Sequence, residues 1–340
     1  MAANDLESIA RQLSAEGKGI LAADESFGTI EKRFKAIDLP NTEENRRAYR
    51  DMLFTTPGFS DFISGVILFD ETIRQKSDDG TPFPELLKKA GSIPGIKVDA
   101  GAKPMAGFPN EVVTEGLDGL RDRLAEYSKL GAQFTKWRAV ITIDEGIPTR
   151  TCIEANAEAL ARYAALAQEA GMVPIVEPEV LMDGSHTIER CEEVTELTLN
   201  IVFDRLFAHR IRLEGMLLKP NMVIAGKKAP RQADVQEVAE ATVRVLRRTV
   251  PAAVPGIVFL SGGQTPEQAT AHLNAMNKLG EHPWELSYSY GRALQEEALK
   301  AWKGQKANVP AAQKAFARRG GCCSAARSGS YSPDMELAGV

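Results

Sequence analysis

Eight short apolar runs recur along the chain, and each has the length of a β-strand. In most of them hydrophobic residues follow one another almost without interruption instead of alternating with polar ones, which is typical of parallel strands buried on both faces. The pattern therefore predicts eight strands of a buried parallel sheet. They occupy residues 19–24, 64–70, 95–100, 134–140, 172–180, 215–221, 256–263 and 286–292.

Segments with helical periodicity separate these runs. In residues 155–171, Leu160 and Ala164 fall on one face, and Gly171 is suited to end the helix. Residues 265–268, with the sequence TPEQ, combine an N-cap threonine, a proline at the first helical position and a capping-box glutamine. Because no linker interrupts the alternation, we predict an α/β fold, a single (β/α)8 TIM barrel.

The predicted domain covers residues 1–318, and residues 319–340 are predicted to form a flexible C-terminal tail. This last segment is rich in Gly, Ser and charged residues and poor in large apolar ones. Its adjacent Cys322 and Cys323 are interpreted as unremarkable, exposed thiols.

Charge and composition narrow the class of protein. The net charge of -5 argues against a nucleic-acid partner, and no apolar run resembles a secretory signal or a membrane span. The four cysteines lack the spacing of a disulfide framework, and the four histidines lack the pairings of a metal site. We therefore expect a cytoplasmic enzyme with no metal or other cofactor and no membrane partner.

Polar residues gather where seven of the eight predicted strands end. Active sites of barrels lie at this C-terminal face, and charged groups on several strands at one level favour a function there. Inward-facing ion pairs also fill some barrels for structural reasons, so both interpretations stay open. The residues are Asp24, Glu25, Ser26, Lys97, Asp99, Lys136, Arg138, Glu177, Glu179, Lys219, Ser261, Gly262, Gly263, Gly291 and Arg292.

Lys219, in the segment LLKPNM, lies where the strand should still be buried. Either its ammonium emerges at the rim into water, or a desolvated amine becomes a nucleophile that forms an imine with a carbonyl substrate. In the second case Lys136, a nearby cation, favours the neutral amine. Glu177 can then exchange protons during imine formation, and Asp24 can accept the proton of a substrate hydroxyl.

Two separate positions are suited to anions. Ser261, Gly262 and Gly263 precede a helix N-terminus, and Arg292 follows the last strand, where barrels commonly bind phosphate. Lys97 and Ser26 can hold a second anion across the barrel. Two anion sites on either side of a lysine suggest a bisphosphorylated sugar as the substrate.

Motifs along residues 5–318 resemble one family, the class I fructose-1,6-bisphosphate aldolases. They include GKGILAADES, SGVILF, PGIKVD, KWRAV, VPIVEPE, EGMLLKPNM, FLSGGQ and SYGRALQ, in the family's order. The resemblance implies reversible cleavage of fructose 1,6-bisphosphate to dihydroxyacetone phosphate and glyceraldehyde 3-phosphate through a lysine imine, without a metal. It also implies a homotetramer.

The same resemblance implies a role for each matched residue. Lys219 is the imine-forming lysine, Glu177 the acid and base, Asp24 the base for the C4 hydroxyl, and Lys136 an assisting cation. Arg138 and Glu179 support this charged cluster. The implied phosphate contacts are Ser261, Gly262, Gly291 and Arg292 for the 1-phosphate with Lys32 and Arg33 nearby, and Ser26, Thr29 and Lys97 for the 6-phosphate.

Three positions depart from the family pattern. Phe27 replaces a small hydroxyl residue, Ala100 replaces a lysine, and Val340 stands at the end of the chain where many members have tyrosine. Two other functions remain open: a transaldolase-like enzyme that also uses an imine, and a non-catalytic scaffold. The sequence does not distinguish fructose 1,6-bisphosphate from fructose 1-phosphate as the preferred substrate.

Overall fold

Eight parallel strands close into a barrel. The computed structural model describes residues 3–337, with side chains from residue 5 onward. Each barrel strand corresponds to one predicted apolar run, which confirms the (β/α)8 barrel. In chain order the strands, including two outside the barrel, are β1 Gly19–Ala23, β2 Ile63–Leu68, β3 Ile93–Lys97, β4 Gly101–Pro104, β5 Val112–Glu115, β6 Phe134–Ile141, β7 Val173–Val180, β8 Leu217–Leu218, β9 Gly256–Phe259 and β10 Glu285–Tyr290.

Around the barrel the order is β1, β2, β3, β6, β7, β8, β9 and β10, which pairs with β1 again. Strands β4 and β5 form a separate antiparallel hairpin between β3 and β6. The sequence pattern did not predict this hairpin, because its strands are four residues long and carry polar residues.

Helices surround the strands and connect them. The N-terminal capping box of α11 forms between Thr265 and Gln268 as predicted, and Gly171 adopts a left-handed conformation (φ +74°) just after α8. The helices are α1 Ala3–Leu13, α2 Phe27–Lys35, α3 Glu43–Phe54, α4 Phe59–Phe62, α5 Asp70–Ile73, α6 Phe83–Lys89, α7 Leu120–Lys129, α8 Arg150–Glu169, α9 Ile188–Ala208, α10 Val235–Thr249, α11 Pro266–Lys278, α12 Arg292–Trp302 and α13 Val309–Arg327. Among the helices of the described chain, none has the length and apolar composition of a membrane-spanning segment.

Helix α1 closes the N-terminal end of the barrel. Its apolar residues recur at helical spacing and pack on inward-facing side chains of the strands. The resulting core is separate from the larger core between the strands and the outer helices. This second core contains Leu6, Ile9, Ala10 and Leu13 of α1 with Ile20, Ala22, Ile67, Phe134, Val173, Ile175, Leu217 and Val258.

The prediction that a flexible tail begins at residue 319 is wrong for residues 319–327, which continue helix α13. Arg319 is fully buried, pairs with Glu336, and donates to the Thr270 hydroxyl at 2.6 Å. The segment packs although it lacks large apolar residues, because its small residues allow a close approach. A β-carbon added to Gly320 would lie 2.1 Å from the Phe62 ring.

The two adjacent thiols are buried, so the prediction of exposed cysteines is also wrong. Burial raises the pKa of the Cys322 thiol to about 12, which makes it an unreactive thiol. The terminal residue Val340, like residues 338 and 339, lies outside the described part of the chain.

Candidate active site

A cavity of about 1220 Å³ opens at the C-terminal ends of the strands. Every site residue that the sequence analysis selected lines this cavity, although the residues are spread over more than 260 positions of the chain. The barrel brings them together because each comes from the end of a strand, from the loop after it or from the helix that follows. They are Asp24, Ser26, Thr29, Lys32, Arg33, Lys97, Lys136, Arg138, Glu177, Glu179, Lys219, Ser261, Gly262, Gly291 and Arg292.

Lys136 lies at the centre of the floor of this cavity. Its Nζ is 2.7 Å from Oδ2 of Asp24 and 3.4 Å from Oε2 of Glu177. The lysine is only 4% exposed, so these carboxylates compensate its charge in place of water. Strand alternation explains the arrangement, since Lys136 faces inward from β6 as Glu177 does from β7.

The pKa values of Asp24 and Lys136 depend on two opposing effects, burial and the charge of neighbouring groups. Burial alone would raise the pKa of Asp24, but the ammonium groups of Lys136 and Lys219 outweigh it and hold the pKa well below its usual value. Burial alone would lower the pKa of Lys136, but Asp24, Glu177 and Asp99 outweigh it and raise the pKa. Asp24 and Lys136 are therefore a stable ion pair at neutral pH.

Lys219 approaches the same glutamate from the other side. Its Nζ is 3.3 Å from Oε1 of Glu177, and its backbone N–H donates to the carbonyl of Val176 at 2.8 Å. The residue is 4% exposed, so the interpretation that its ammonium emerges into water is wrong. Glu177 thus bridges two buried lysines, one through each carboxylate oxygen.

A second layer of charge lies towards the mouth of the cavity. The Arg138 guanidinium pairs with Glu179, and the Lys97 ammonium is 2.6 Å from Oδ1 of Asp99. The other oxygen of Asp99 accepts from the backbone N–H of Arg138 at 3.3 Å, which joins the two pairs. These contacts agree with the supporting position expected for Arg138 and Glu179.

On one side of the lysines, the loop after β9 meets the start of α12. Gly262 adopts a left-handed conformation (φ +55°), and Arg292 donates to its carbonyl at 3.4 Å and to that of Gln264 at 2.6 Å. Arg33 reaches the same place, since a β-carbon on Gly291 would lie 3.3 Å from its Nη2. Backbone N–H groups and two guanidinium groups together suit a phosphate.

Ser26 and Thr29 lie at the start of α2, and their hydroxyl groups are 3.2 Å apart. The Ser26 side chain makes no capping hydrogen bond to the helix backbone, and its hydrogen bond with the Thr29 hydroxyl is one that an anion could replace. Lys32 and Lys97 line the same cavity and supply positive charge.

Several residues of the site were not predicted from the sequence. Glu25, noted only as a polar residue, pairs with both Arg33 and Arg50, and Gln295 accepts from Arg33 at 3.2 Å. This network holds Arg33 towards the cavity. The sequence did indicate a buried charge in α3, because Arg50 lies among the apolar residues of this helix. Its partner Glu25 lies 25 positions away and could not be identified from the sequence.

The histidines, cysteines and acidic residues of the described chain form no group of three or more that could hold a metal ion. The positively charged cavity also disfavours a divalent cation. Its lining carries ammonium or guanidinium groups from Lys97, Lys136, Lys219 and Arg292.

The fold and this cavity define a (β/α)8-barrel enzyme whose site combines buried lysines with carboxylates. The model of the family "Fructose-bisphosphate aldolase class-I" matches residues 5–339, so the chain belongs to the class I fructose-bisphosphate aldolase family. Members of the family cleave fructose 1,6-bisphosphate reversibly through a lysine imine and use no metal, and the chain has this activity, which serves glycolysis and gluconeogenesis.

Relatives from distant organisms are similar to this protein over almost its whole length. A "Probable fructose-bisphosphate aldolase class 1" of Xanthomonas axonopodis is 61% identical over 94% of this chain and 96% of its own length. "Fructose-bisphosphate aldolase 6, cytosolic" of Arabidopsis thaliana is 54% identical over 98% and 94%. A solved aldolase from Plasmodium falciparum, in complex with TRAP and an inhibitor, has a TM-score of 0.96 at 51% identity and covers 97% of this chain and 96% of its own.

Proposed function

We propose that Lys219 forms the imine with the C2 carbonyl of fructose 1,6-bisphosphate. The observation that carries the proposal is the row Asp24, Lys136, Glu177 and Lys219 on the floor of one cavity, in which the last three are buried. Lys136 has two carboxylate partners and keeps its proton, whereas Lys219 contacts only Glu177 among these carboxylates. Lys219 is therefore the lysine that releases its proton and attacks the carbonyl.

Glu177 is placed to serve both halves of imine chemistry. Glu177 accepts the proton that Lys219 releases, and the free amine adds to the carbonyl carbon. Glu177 then donates this proton to the departing hydroxyl, so that water leaves and the imine forms. The same carboxylate, again ionised, accepts the proton back from water when the imine is hydrolysed. The ammonium of Lys136 lies 3.4 Å from this carboxylate and stabilises it.

Asp24 acts as the base in the cleavage step. Its pKa is held below the usual value, so it is ionised and can accept the proton of the C4 hydroxyl. The C3–C4 bond then breaks, glyceraldehyde 3-phosphate leaves, and the electron pair of the broken bond moves into the imine to give an enamine. Protonation at C3 and hydrolysis release dihydroxyacetone phosphate and restore Lys219.

The two phosphates fix the sugar across the lysines. Ser261, Gly262, Gly291 and Arg292, with Lys32 and Arg33 nearby, bind the 1-phosphate. Ser26, Thr29 and Lys97 bind the 6-phosphate, with Phe27 and Ala100 altering the contacts on that side. Because the charged groups at both positions line one cavity, a bisphosphate matches it better than a monophosphate such as fructose 1-phosphate.

We also propose that the protein works without a cofactor, as a cytoplasmic homotetramer with sugar phosphates as its partners. Membership of a family that uses no metal supports the first point. Two Arabidopsis relatives are named cytosolic, which supports the second.

The test is borohydride trapping in the presence of EDTA with dihydroxyacetone phosphate, followed by intact mass and peptide mapping. A stable adduct on Lys219 is expected, because borohydride reduces the imine to a secondary amine. An adduct on another lysine would overturn the residue assignment. Absence of any adduct in folded protein would favour a non-catalytic scaffold, and a panel of sugar phosphates separates cleavage of the bisphosphate from transaldolase-like transfer.

A further inference from the structure

Two loops beside the proposed 1-phosphate site are joined through their backbones. The loop after β7 and the loop after β8 form three hydrogen bonds, from Gly226 N–H to the His186 carbonyl at 2.9 Å, from Lys227 to Met182 at 2.8 Å, and from Lys228 to Gly184 at 2.8 Å. A β-carbon on Gly226 would lie 2.5 Å from the Gly184 carbonyl oxygen, so this close approach requires glycine. The backbone of Lys227 is therefore fixed.

From this position the Lys227 side chain covers the glycine loop after β9. A β-carbon added to Gly263 would lie 2.1 Å from Cε of Lys227 and 2.5 Å from its Nζ. The backbone N–H of Gly263 also points to the Met182 sulfur at 3.0 Å. The ammonium thus adjoins the loop whose backbone N–H groups suit a phosphate, and Lys227 lines the active-site cavity.

We propose that Lys227 is a further specificity-determining residue, which binds the phosphate on C1 of the sugar and of dihydroxyacetone phosphate. The inference rests on the proposed function, since it assigns a new contact to the same site. A lysine acts on phosphate as a flexible point charge, which complements the planar guanidinium that Arg292 brings to the same loop.

The Lys227 ammonium is 3.0 Å from Oδ1 of Asp183. The two side chains are 46% and 63% exposed, and an ion pair this exposed contributes little. The four-carbon side chain can therefore exchange Asp183 for a phosphate without disturbing the fold. Asp183 also lines the cavity, where its negative charge opposes phosphate binding.

The chain supplies a matched control in Lys228. This residue is also exposed and belongs to the same backbone pairing, but it does not line the cavity. The experiment uses the full-length enzyme in the direction of aldol synthesis. The KM for dihydroxyacetone phosphate and the KM for glyceraldehyde 3-phosphate are measured separately for wild type, Lys227→Met, Lys228→Met and Asp183→Asn.

Lys227→Met should raise the KM for dihydroxyacetone phosphate about 3- to 10-fold, as expected for one partly exposed charge contact, and leave kcat and the other KM nearly unchanged. Lys228→Met should match wild type. Asp183→Asn should leave the KM for dihydroxyacetone phosphate equal or lower, because it removes a repulsive charge. Lys227→Arg should recover part of the loss.

An unchanged KM in Lys227→Met would overturn the proposal, and so would equal shifts in the two lysine variants, which would indicate a general field effect. If Asp183→Asn raised the KM as much as Lys227→Met, the pair would be a structural link and not a phosphate contact. Borohydride trapping at saturating dihydroxyacetone phosphate tests the proposed function independently of the role of Lys227. No adduct in wild type would overturn the proposed function itself, whereas an adduct with unchanged KM values would overturn only the role of Lys227.

Discussion

The same strands line both ends of the barrel interior, with apolar residues at the N-terminal end and charged residues at the C-terminal end. On three neighbouring strands, an inward apolar residue is followed two positions later by a charged one. The pairs are Phe134 and Lys136 on β6, Ile175 and Glu177 on β7, and Leu217 on β8 with Lys219 directly after it. At the N-terminal end the interior packs against helix α1, and at the C-terminal end it forms the floor of the cavity.

The difference shows how one fold supplies both stability and chemistry. The apolar end contributes the burial that holds the strands together. It also backs the charged end with apolar side chains, and in such surroundings the attraction between Lys136 and Asp24 is stronger than it would be in solvent. Substitutions at the two ends should therefore separate activity from stability.

The largest expected effect is the loss of activity in Lys219→Ala, at the charged end. Without the amine no imine forms, and kcat should fall by at least about 10⁴-fold. Lys219→Arg should fail as well, because a guanidinium stays charged and cannot form the imine. Steady-state cleavage of fructose 1,6-bisphosphate measures the loss, and thermal unfolding should show a folded protein. Near-normal turnover in either variant would contradict the assignment of Lys219.

The corresponding change at the apolar end is Phe134→Ala, one step below Lys136 on the same face of β6. Phe134 is fully buried, and its ring fills the space beside Gly95, where an added β-carbon would lie 2.4 Å from it. Removal of the ring should lower the free energy of unfolding by about 3–5 kcal/mol, through lost burial and the cavity left behind.

Denaturant unfolding measures this loss, and Phe134→Leu, which keeps more volume, should lose less stability. The kcat of the folded fraction should stay within about tenfold of wild type in both variants, because no charged group is removed. A fall in kcat as large as that of Lys219→Ala would show that the two ends are not separable.

The barrel was predictable from sequence because the strands of a parallel barrel are buried on both faces. Even β8, with only Leu217 and Leu218 in strand conformation, lies within a continuous apolar run. The placement of the charged residues followed from the same rule, since active sites of barrels collect at the ends of the strands.

Contacts that depend on distant partners were not predictable. The burial of Arg319 requires Glu336 and Thr270, and the burial of the Cys322 thiol requires the close packing of α13 at Gly320. Composition alone indicated a tail, because small residues add little hydrophobicity even where they pack tightly. The position of Lys227 was not predictable for the same reason, because it depends on backbone hydrogen bonds between two loops.

The smallest expected effect concerns how acid affects stability at the charged end. Because the pKa of folded Asp24 lies below its unfolded value of 3.8, ionised Asp24 stabilises the protein above that pH, and this contribution is lost as the pH falls further. Asp24→Asn removes the group, so the difference in unfolding free energy between wild type and variant should be largest near pH 7 and shrink below about pH 4. Denaturant unfolding at several pH values measures it. A difference that stayed constant with pH would mean that the two lysines do not hold Asp24 ionised. Phe134→Leu serves as the control, because it changes no charge and its difference in unfolding free energy should not depend on pH.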